Sequence, residues 1–129
     1  MHYEGTTRDG TRIVFRHIRP DDKDGLRRGF EALSPESRYR RFFRHLDHLS
    51  DEQLRYLTEV DFKDHGAWLA VLPDEPGEPG VGVARWIRIR DESDVAEGAV
   101  TVADHLHGRG IGSTLLWVAA RSAIERGIR

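Results

Sequence analysis

The fold is decided by one segment, Ala99-Val100-Thr101-Val102-Ala103-Asp104-His105-Leu106-His107-Gly108-Arg109-Gly110-Ile111-Gly112-Ser113. The apolar alternation from Ala99 to Val102 predicts a strand, and the run from Thr114 to Arg126 predicts a helix. Between them the glycine-rich turn His107 to Ser113 opens the helix, where unpaired backbone N–H groups and the positive end of the macrodipole can hold an anion. Glycine lets the backbone approach a ligand closely. A plain connector is the alternative, so the surrounding sequence has to decide.

The composition indicates one globular domain. The chain has 129 residues, of which 38% are hydrophobic and 33% charged, and its formal net charge is −2. This charge argues against a protein whose main ligand is a nucleic-acid backbone. The absence of cysteine excludes disulfides and thiol catalysis. No apolar run approaches the ~20 residues of a membrane span and the first residues are polar, so we expect a cytoplasmic protein without a membrane partner.

Before the glycine-rich turn, the N-terminal half reads as one strand followed by helices. Arg12 to Arg19 is rich in β-branched and aromatic residues, as a strand would be. Pro20-Asp21-Asp22 predicts a helix start, and Gly25 and Gly29 lower the intrinsic stability of that helix. Ser50-Asp51-Glu52-Gln53 has the form of a capping box and predicts a further helix that carries Leu54, Leu57 and Val60.

A helix is also predicted from Ser34-Pro35-Glu36, with an apolar stripe and a basic face. The stripe contains Tyr39, Phe42, Phe43 and Leu46, and the basic face contains Arg38, Arg40, Arg41 and Arg44. We interpret the aromatic residues as core and the arginines as a solvated face rather than a nucleic-acid interface, although some arginines can also reach anionic groups of a cofactor. His45 and His48 share a helix face, but a third ligand is missing and no metal is expected.

Three strands joined by polar loops are predicted before the glycine-rich turn. They span Ala67–Leu72, Val81–Ile89 and Val95–Val102, with turns at Pro73–Gly80 and Asp91–Asp94. Short connections favour an antiparallel meander. The order strand, helices, three strands, helix predicts an α+β fold with a mixed, mostly antiparallel sheet flanked by helices.

The last of these strands contains two unusual residues. Gly98 is a poor strand former and suggests a bulge or a close backbone approach, and Glu97 places a carboxylate among apolar neighbours. Backbone groups left unpaired at a bulge can bind an amide-bearing ligand as if it were a strand. An amide arm on the strand and a phosphate on the following turn together describe coenzyme A.

The residues from Val102 to Ser113, followed by Leu115-Leu116, resemble the acyl-CoA-binding signature of the GNAT N-acetyltransferase superfamily. The family pattern is Q/R-x-x-G-x-G/A. Its first position is His107 here, and the backbone N–H cradle from Arg109 to Ser113 keeps the family's form.

The N-terminal half carries a second set of similarities. Arg16 to Asp22 is similar to the opening of many GNAT domains, while Leu33 to Phe43 and Ala96 to Ala99 look closest to the bacterial protein-lysine acetyltransferase (Pat-like) branch. The resemblance implies a single GNAT-like domain over residues 1–129. Its expected parts are an N-terminal strand and helices at 10–62, a three-stranded meander at 66–103, and the CoA-binding turn and helix at 104–127.

The resemblance implies transfer of an acetyl group from acetyl-CoA to a primary amine, either a protein lysine or a small molecule, by direct attack in a ternary complex. An ammonium group with a pKa of about 10.4 must first lose a proton, and Glu97 is the candidate base, with a solvent-facing ion-pair partner as its alternative role. Val100 and Val102 would line the pantetheine arm, and the N–H of Val102 or its neighbour would polarise the thioester oxygen. His107, Gly108, Arg109, Gly110, Ile111, Gly112 and Ser113 would bind the pyrophosphate.

The resemblance also implies a C-terminally incomplete fold, because further strands and a helix follow this signature in the family. None of Tyr3, Tyr39 or Tyr56 matches the family's thiolate-protonating tyrosine. We expect a fragment of a longer protein, a homodimer that completes the sheet, or a non-catalytic acyl-CoA-binding or regulatory module. An open edge on the last strand favours association.

Overall fold

A computed structural model of the protein describes residues 2–7, 9–32, 50–89, 92–102 and 110–128. Its strands are β1 (His2–Thr6), β2 (Arg12–His17), β3 (His65–Val71), β4 (Gly80–Ile89) and β5 (Glu92–Val102). Its helices are α1 (Lys23–Ala32), which continues from a 3₁₀ turn at Pro20–Asp22, α2 (Asp51–Thr58) and α3 (Ile111–Glu125).

The five strands form one sheet in the order β1-β2-β3-β4-β5, and every neighbouring pair is antiparallel. The predicted α+β class and the three-stranded meander are therefore confirmed. The turn predicted at Asp91–Asp94 is wrong for its last three residues, because β5 already begins at Glu92, which pairs with Ile89. Polar residues are acceptable there, since β5 is an edge strand.

The strand β1 was not predicted from the sequence. It pairs with β2 through a turn in which Gly10 has a φ of +89°. Tyr3 and Gly5 alternate with more exposed residues along β1, and the Tyr3 ring packs 5.6 Å from that of Trp68. This polar strand is held by its pairing with β2 and by the contacts of the Tyr3 ring with Trp68 and, at 6.1 Å, Trp117, rather than by an apolar pattern of its own.

Helix α3 covers one side of the sheet, which we call the closed face. Alternation along paired strands places Phe15, Trp68, Ala84 and Trp86 on this face, and all four are buried. Leu115 of α3 is fully buried against them. The Trp86 indole N–H points to the Ser122 hydroxyl of α3 at 3.4 Å.

The C-terminal end of α3 is fixed by Arg88 of β4. Its guanidinium donates to the carbonyl oxygens of Arg126 at 2.7 Å and Lys63 at 2.9 Å, and to the Asp64 carboxylate at 3.1 Å. A cation at this end complements the helix dipole and satisfies a carbonyl that lacks a partner inside the helix.

Helices α1 and α2 lie on the other side of the sheet, which we call the open face. The predicted capping box of α2 is confirmed: the Ser50 hydroxyl accepts from the Gln53 N–H at 3.1 Å, and the Gln53 side chain accepts from the Ser50 N–H at 2.8 Å. Leu54 and Leu57 lie on α2 as predicted and are buried, whereas Val60, predicted on the same helix, follows its end at Thr58. The helix predicted from Ser34, with its arginines and with His45 and His48, lies outside the described residues.

Candidate functional site

The end of β5 and the start of α3 lie side by side. A Cβ built on Gly112 would sit 3.5 Å from Cγ2 of Val102, which is ordinary van der Waals contact. Val102 pairs with Gly82 of β4, so β5 stays in the sheet up to its last residue. The structure thus brings the end of the predicted arm-lining strand together with the described part of the predicted turn, which begins at Gly110.

Helix α3 begins at Ile111, three residues before the predicted start at Thr114. Gly110 is the N-cap with a φ of +83°, a left-handed conformation that favours glycine, and it offers no side chain to cap the helix. The first N–H that bonds within the helix is that of Thr114, to the Gly110 carbonyl at 3.2 Å. Among the described residues, none accepts a hydrogen bond from the N–H groups of Ile111, Gly112 and Ser113, and the first turn of α3 carries no acidic residue, so this helix start suits an anion.

Within the predicted turn, individual residues have different surroundings. The side chain of Ile111 is buried in the core at 2% exposure, so only its backbone faces the turn. Gly110 and Ser113 are exposed. His107, Gly108 and Arg109 lie outside the described residues.

The bulge predicted at Gly98 is wrong. Glu97, Gly98 and Ala99 pair in unbroken register with Ile87, Trp86 and Arg85, and the irregularity in this ladder falls between Arg88 and Ile89 instead. Gly98 lies beside Trp86, whose other neighbour, Gly66, has no room for a Cβ. The glycine therefore does not interrupt the ladder.

Glu97 and the two valines of β5 lie on opposite sides of the sheet. Val100 and Val102 are on the closed face, where Val100 is 40% exposed beside α3 and Val102 packs against the core. Glu97 is exposed on the open face, in one row with Ile87 and His65. The carboxylate therefore faces the same side as α1 and α2.

A cleft of about 720 Å³ opens on the open face, and the sequence did not predict it. An ion pair lies in its wall: Arg16 donates to both carboxylate oxygens of Asp22 at 2.8 and 2.9 Å. Burial alone would raise the pKa of Asp22, but hydrogen bonds from Arg16 and from the Arg19 N–H, with their charges, lower it overall. The hydrogen bond to Asp22 raises the pKa of Arg16.

Arg85 is buried at 4% exposure where the cleft reaches α2, and it was also missed in the sequence. Its guanidinium donates to the Leu57 carbonyl at 3.1 Å and lies 2.9 Å from Nε2 of His65. A cation on the last turn of α2 complements the helix dipole. The alternation of β4 places Arg85 opposite Ala99, and a charged residue at an inward position is the signal that reveals it.

Among the residues that the structure describes, no helix combines the length and apolar character needed to cross a bilayer. The same residues contain no group of three or more histidine and acidic side chains arranged to hold a metal ion.

Comparison with known proteins gives a match to the model of the acetyltransferase (GNAT) family over residues 26–129. The chain is 34% identical to acetyltransferase Pat of Mycolicibacterium smegmatis over 122 residues, which cover 95% of the chain and 36% of that protein. It is 28% identical to acetyltransferase PA5475 of Pseudomonas aeruginosa over 115 residues, which cover 89% of the chain and 61% of that protein. The chain therefore spans less than two thirds of either relative.

Solved structures give the same result. The GNAT domain of S. lividans PAT superposes with a TM-score of 0.89 at 34% identity, over 99% of this chain and 74% of that one. The cAMP-binding acyltransferase from Mycobacterium smegmatis superposes with a TM-score of 0.63 at 30% identity, over 99% of this chain and 36% of that one. On the family match and these similarities, the chain belongs to the GNAT family of acetyltransferases.

Proposed function

We propose that the chain transfers an acetyl group from acetyl-CoA to a primary amine, a protein lysine or a small-molecule amine, by direct attack in a ternary complex. One observation carries the proposal: the uncapped N-terminus of α3 lies directly beside the end of β5, in a chain of the GNAT family. This arrangement offers backbone donors for a pyrophosphate next to a strand that can bind an amide arm.

The residues at this junction fit coenzyme A. The N–H groups at Gly110, Ile111, Gly112 and Ser113 would hold the pyrophosphate, together with His107, Gly108 and Arg109 on the preceding turn. Val100 and Val102 would border the pantetheine arm, and the exposed Val100 side chain suits an apolar part of it. When bound, acetyl-CoA would supply an activated acetyl thioester. We also propose that the chain acts in the cytoplasm, where it would meet acetyl-CoA.

Glu97 is the proposed general base. The acceptor must lose a proton because an ammonium group has a pKa of about 10.4 and only the neutral amine has a lone pair. The Glu97 carboxylate is exposed on the open face, opposite Val100 and Val102. Because β5 is the edge strand of the described sheet, an acceptor on the open face would meet a thioester held at this edge. It would take the proton directly or through one water molecule.

A second copy of the chain is the proposed partner. Four exposed apolar side chains, Val100, Leu116, Trp117 and Ile124, lie on β5 and on the outer side of α3. Among the described strands, β5 pairs only with β4. Exposed apolar side chains and an open strand edge both favour association, and a second copy at β5 would supply the other wall of the pantetheine groove.

A non-catalytic acyl-CoA-binding or regulatory module is the second candidate. The observation in its favour is that the Glu97 carboxylate makes no hydrogen bond or ion pair with the described residues. Catalytic bases are usually held in place by hydrogen bonds from neighbouring groups. A domain whose only candidate base is not held in this way would bind acyl-CoA but accelerate the transfer little.

Two measurements test the proposal. Acetyl-CoA at about 100 times its Kd should stabilise the chain by about 2.7 kcal/mol, seen as a rise in Tm, and no rise at millimolar ligand excludes the donor site. Release of free CoA thiol with lysine peptides and small amines then separates an enzyme from a binding module.

The role of Glu97 is tested by Glu97→Gln. We expect kcat/KM at pH 7 to fall by about 100-fold, and the loss to shrink as the pH approaches 10, where the solvent supplies neutral amine. Asp94→Asn, on the same strand, is the control and should keep wild-type activity. Unchanged turnover in Glu97→Gln would remove Glu97 as the base.

A further inference from the structure

The floor of the open-face cleft is a row of residues that crosses four strands. Thr101 of β5 pairs with Val83, Val83 with Leu69, and Leu69 with Arg16 of β2, and all four side chains line the cleft. Neighbouring strands are about 4.8 Å apart, so this floor is about 14 Å long. The cleft therefore suits an elongated ligand that enters at β5.

Two glycines of α1, Gly25 and Gly29, form part of the opposite wall. They are four residues apart and so share one side of the helix. No described atom lies within 4 Å of a Cβ built on either glycine, which means that packing among the described residues does not require them. Alanine is a better helix former than glycine, so the two glycines lower the stability of α1 while they leave this wall of the cleft open.

The described charges around the cleft nearly balance. Among the described residues that line it, aspartate and glutamate side chains are as many as arginines, and one pair of them, Arg16 and Asp22, neutralise each other at 2.8 Å. The middle of the floor is apolar, with Leu69 and Val83 between Thr101 and Arg16. Shape therefore has more influence than charge on what fits.

We propose that Gly25 and Gly29 set the width of this cleft for a lysine-bearing peptide and are specificity-determining residues for the acceptor. The inference rests on the proposed acetyl transfer, because the cleft meets β5 on the same face as Glu97. An extended peptide rises about 3.3 Å per residue, so roughly four residues cover the floor, whereas a compact amine occupies only the β5 end. Because both glycines line the cleft and a Cβ on either one meets no described atom within 4 Å, we expect the added methyl groups to narrow the cleft.

The test compares Gly25→Ala/Gly29→Ala with wild type and with Glu31→Ala, an exposed residue of α1 that does not line the cleft. The acceptors are a heptapeptide with a central lysine and N-acetyl-lysine methylamide. In the double variant we expect Tm to rise by about 3 °C or more because alanine favours the helix. We expect KM for the heptapeptide to rise at least fivefold, while kcat, KM for acetyl-CoA and KM for the compact amide change less than twofold.

Binding of a fluorescent heptapeptide, followed by anisotropy, separates this inference from the proposed function. Weaker peptide binding in the double variant supports the inference even if no thiol is released, in which case the proposed catalysis alone has failed. Equal peptide affinity in both proteins, or no peptide binding by wild type, overturns it. A higher Tm with an unchanged peptide KM also overturns it, because the glycines then have no effect on the acceptor.

Discussion

The two faces of the sheet differ in how much space they leave. On the closed face, Leu115 and Ala84 have no exposed surface, and a Cβ on Gly82 would come within 2.8 Å of Leu115. On the open face, a cleft of about 720 Å³ separates α1 from the strands. Close packing makes the closed face sensitive to a single added or removed methyl group, while the open face tolerates change and leaves room for a ligand. The tightest packing thus lies on the closed face, and the largest space among the described residues lies on the open face.

The largest effect on stability is expected when a buried side chain of the closed face is shortened. Leu115→Ala should destabilise the chain by about 3 kcal/mol, or roughly 10 °C in Tm, because it leaves a cavity among residues that cannot relax into it. Leu116→Ala is the matched control, since its side chain is 52% exposed, and it should change stability by less than about 0.5 kcal/mol. Equal losses in urea unfolding of the two variants would contradict the description of α3.

The two glycines beside Trp86 should respond differently to alanine. A Cβ on Gly66 would lie 2.4 Å from Nε1 of Trp86, so Gly66→Ala should cost about 2 kcal/mol through overpacking. A Cβ on Gly98 would have only the Arg85 carbonyl oxygen near it, at 3.9 Å, so Gly98→Ala should be neutral within about 0.5 kcal/mol. Thermal unfolding of both variants checks this difference, and a large loss for Gly98→Ala would contradict the register of β5.

The ion pair of the open face should make stability depend on acid pH. The pKa of Asp22 is lower in the folded chain than the unfolded value of about 3.9, so its contribution is present above that pH and is lost as the pH falls. Asp22→Asn should cost about 1–2 kcal/mol at pH 7, and the difference from wild type should shrink towards pH 3. Asp24→Asn, whose carboxylate is 75% exposed, is the control. A constant difference across Tm measurements from pH 7 to 3 would rule out this ionic contribution.

The smallest expected effect is the contribution of His17, on the closed face, to the pH dependence of Tm. The His17 ring stacks on Phe62 at 3.9 Å and meets Trp68 at 4.4 Å, and burial lowers its pKa, with smaller contributions from the N-terminal amine and Arg126. The unfolded chain then binds a proton first as the pH falls below about 6.5, so folding weakens in that range. His17→Phe should flatten the change in Tm between pH 7 and 5 by about 1–2 °C, and an unchanged slope would contradict it.

Features with a local cause were predictable. The capping box of α2 joins residues three positions apart, and the alternation in β4 and β5 has a period of two, so both are visible in the sequence. The strand β1 was missed because its order comes from pairing with β2 and from the Tyr3 contact with Trp68. Gly98 was misread for the same reason, since its neighbour Trp86 is remote in sequence.

Some parts of the candidate site were likewise predictable from local sequence, and others depend on contacts between distant segments. The helix that follows the glycine-rich turn was predicted from local residue types, and in the structure it begins at Ile111, three residues before the predicted start. The cleft was not predictable, because Thr101, Leu69 and Arg16 share its floor only after three long-range strand pairings. The glycines of α1 were recognised as costly for a helix, but the space that they leave open is visible only in the structure.

The sequence by itself determined the α+β order of elements, the family signature and the uncapped helix start, because each depends on neighbours within a few residues. Tertiary structure decided which face each residue occupies: it put Val100 and Val102 beside α3, Glu97 on the opposite side, and Arg85 beneath α2. The physical reason is that strand register is set by packing and hydrogen bonds between distant segments, and a shift of one residue would exchange the two faces.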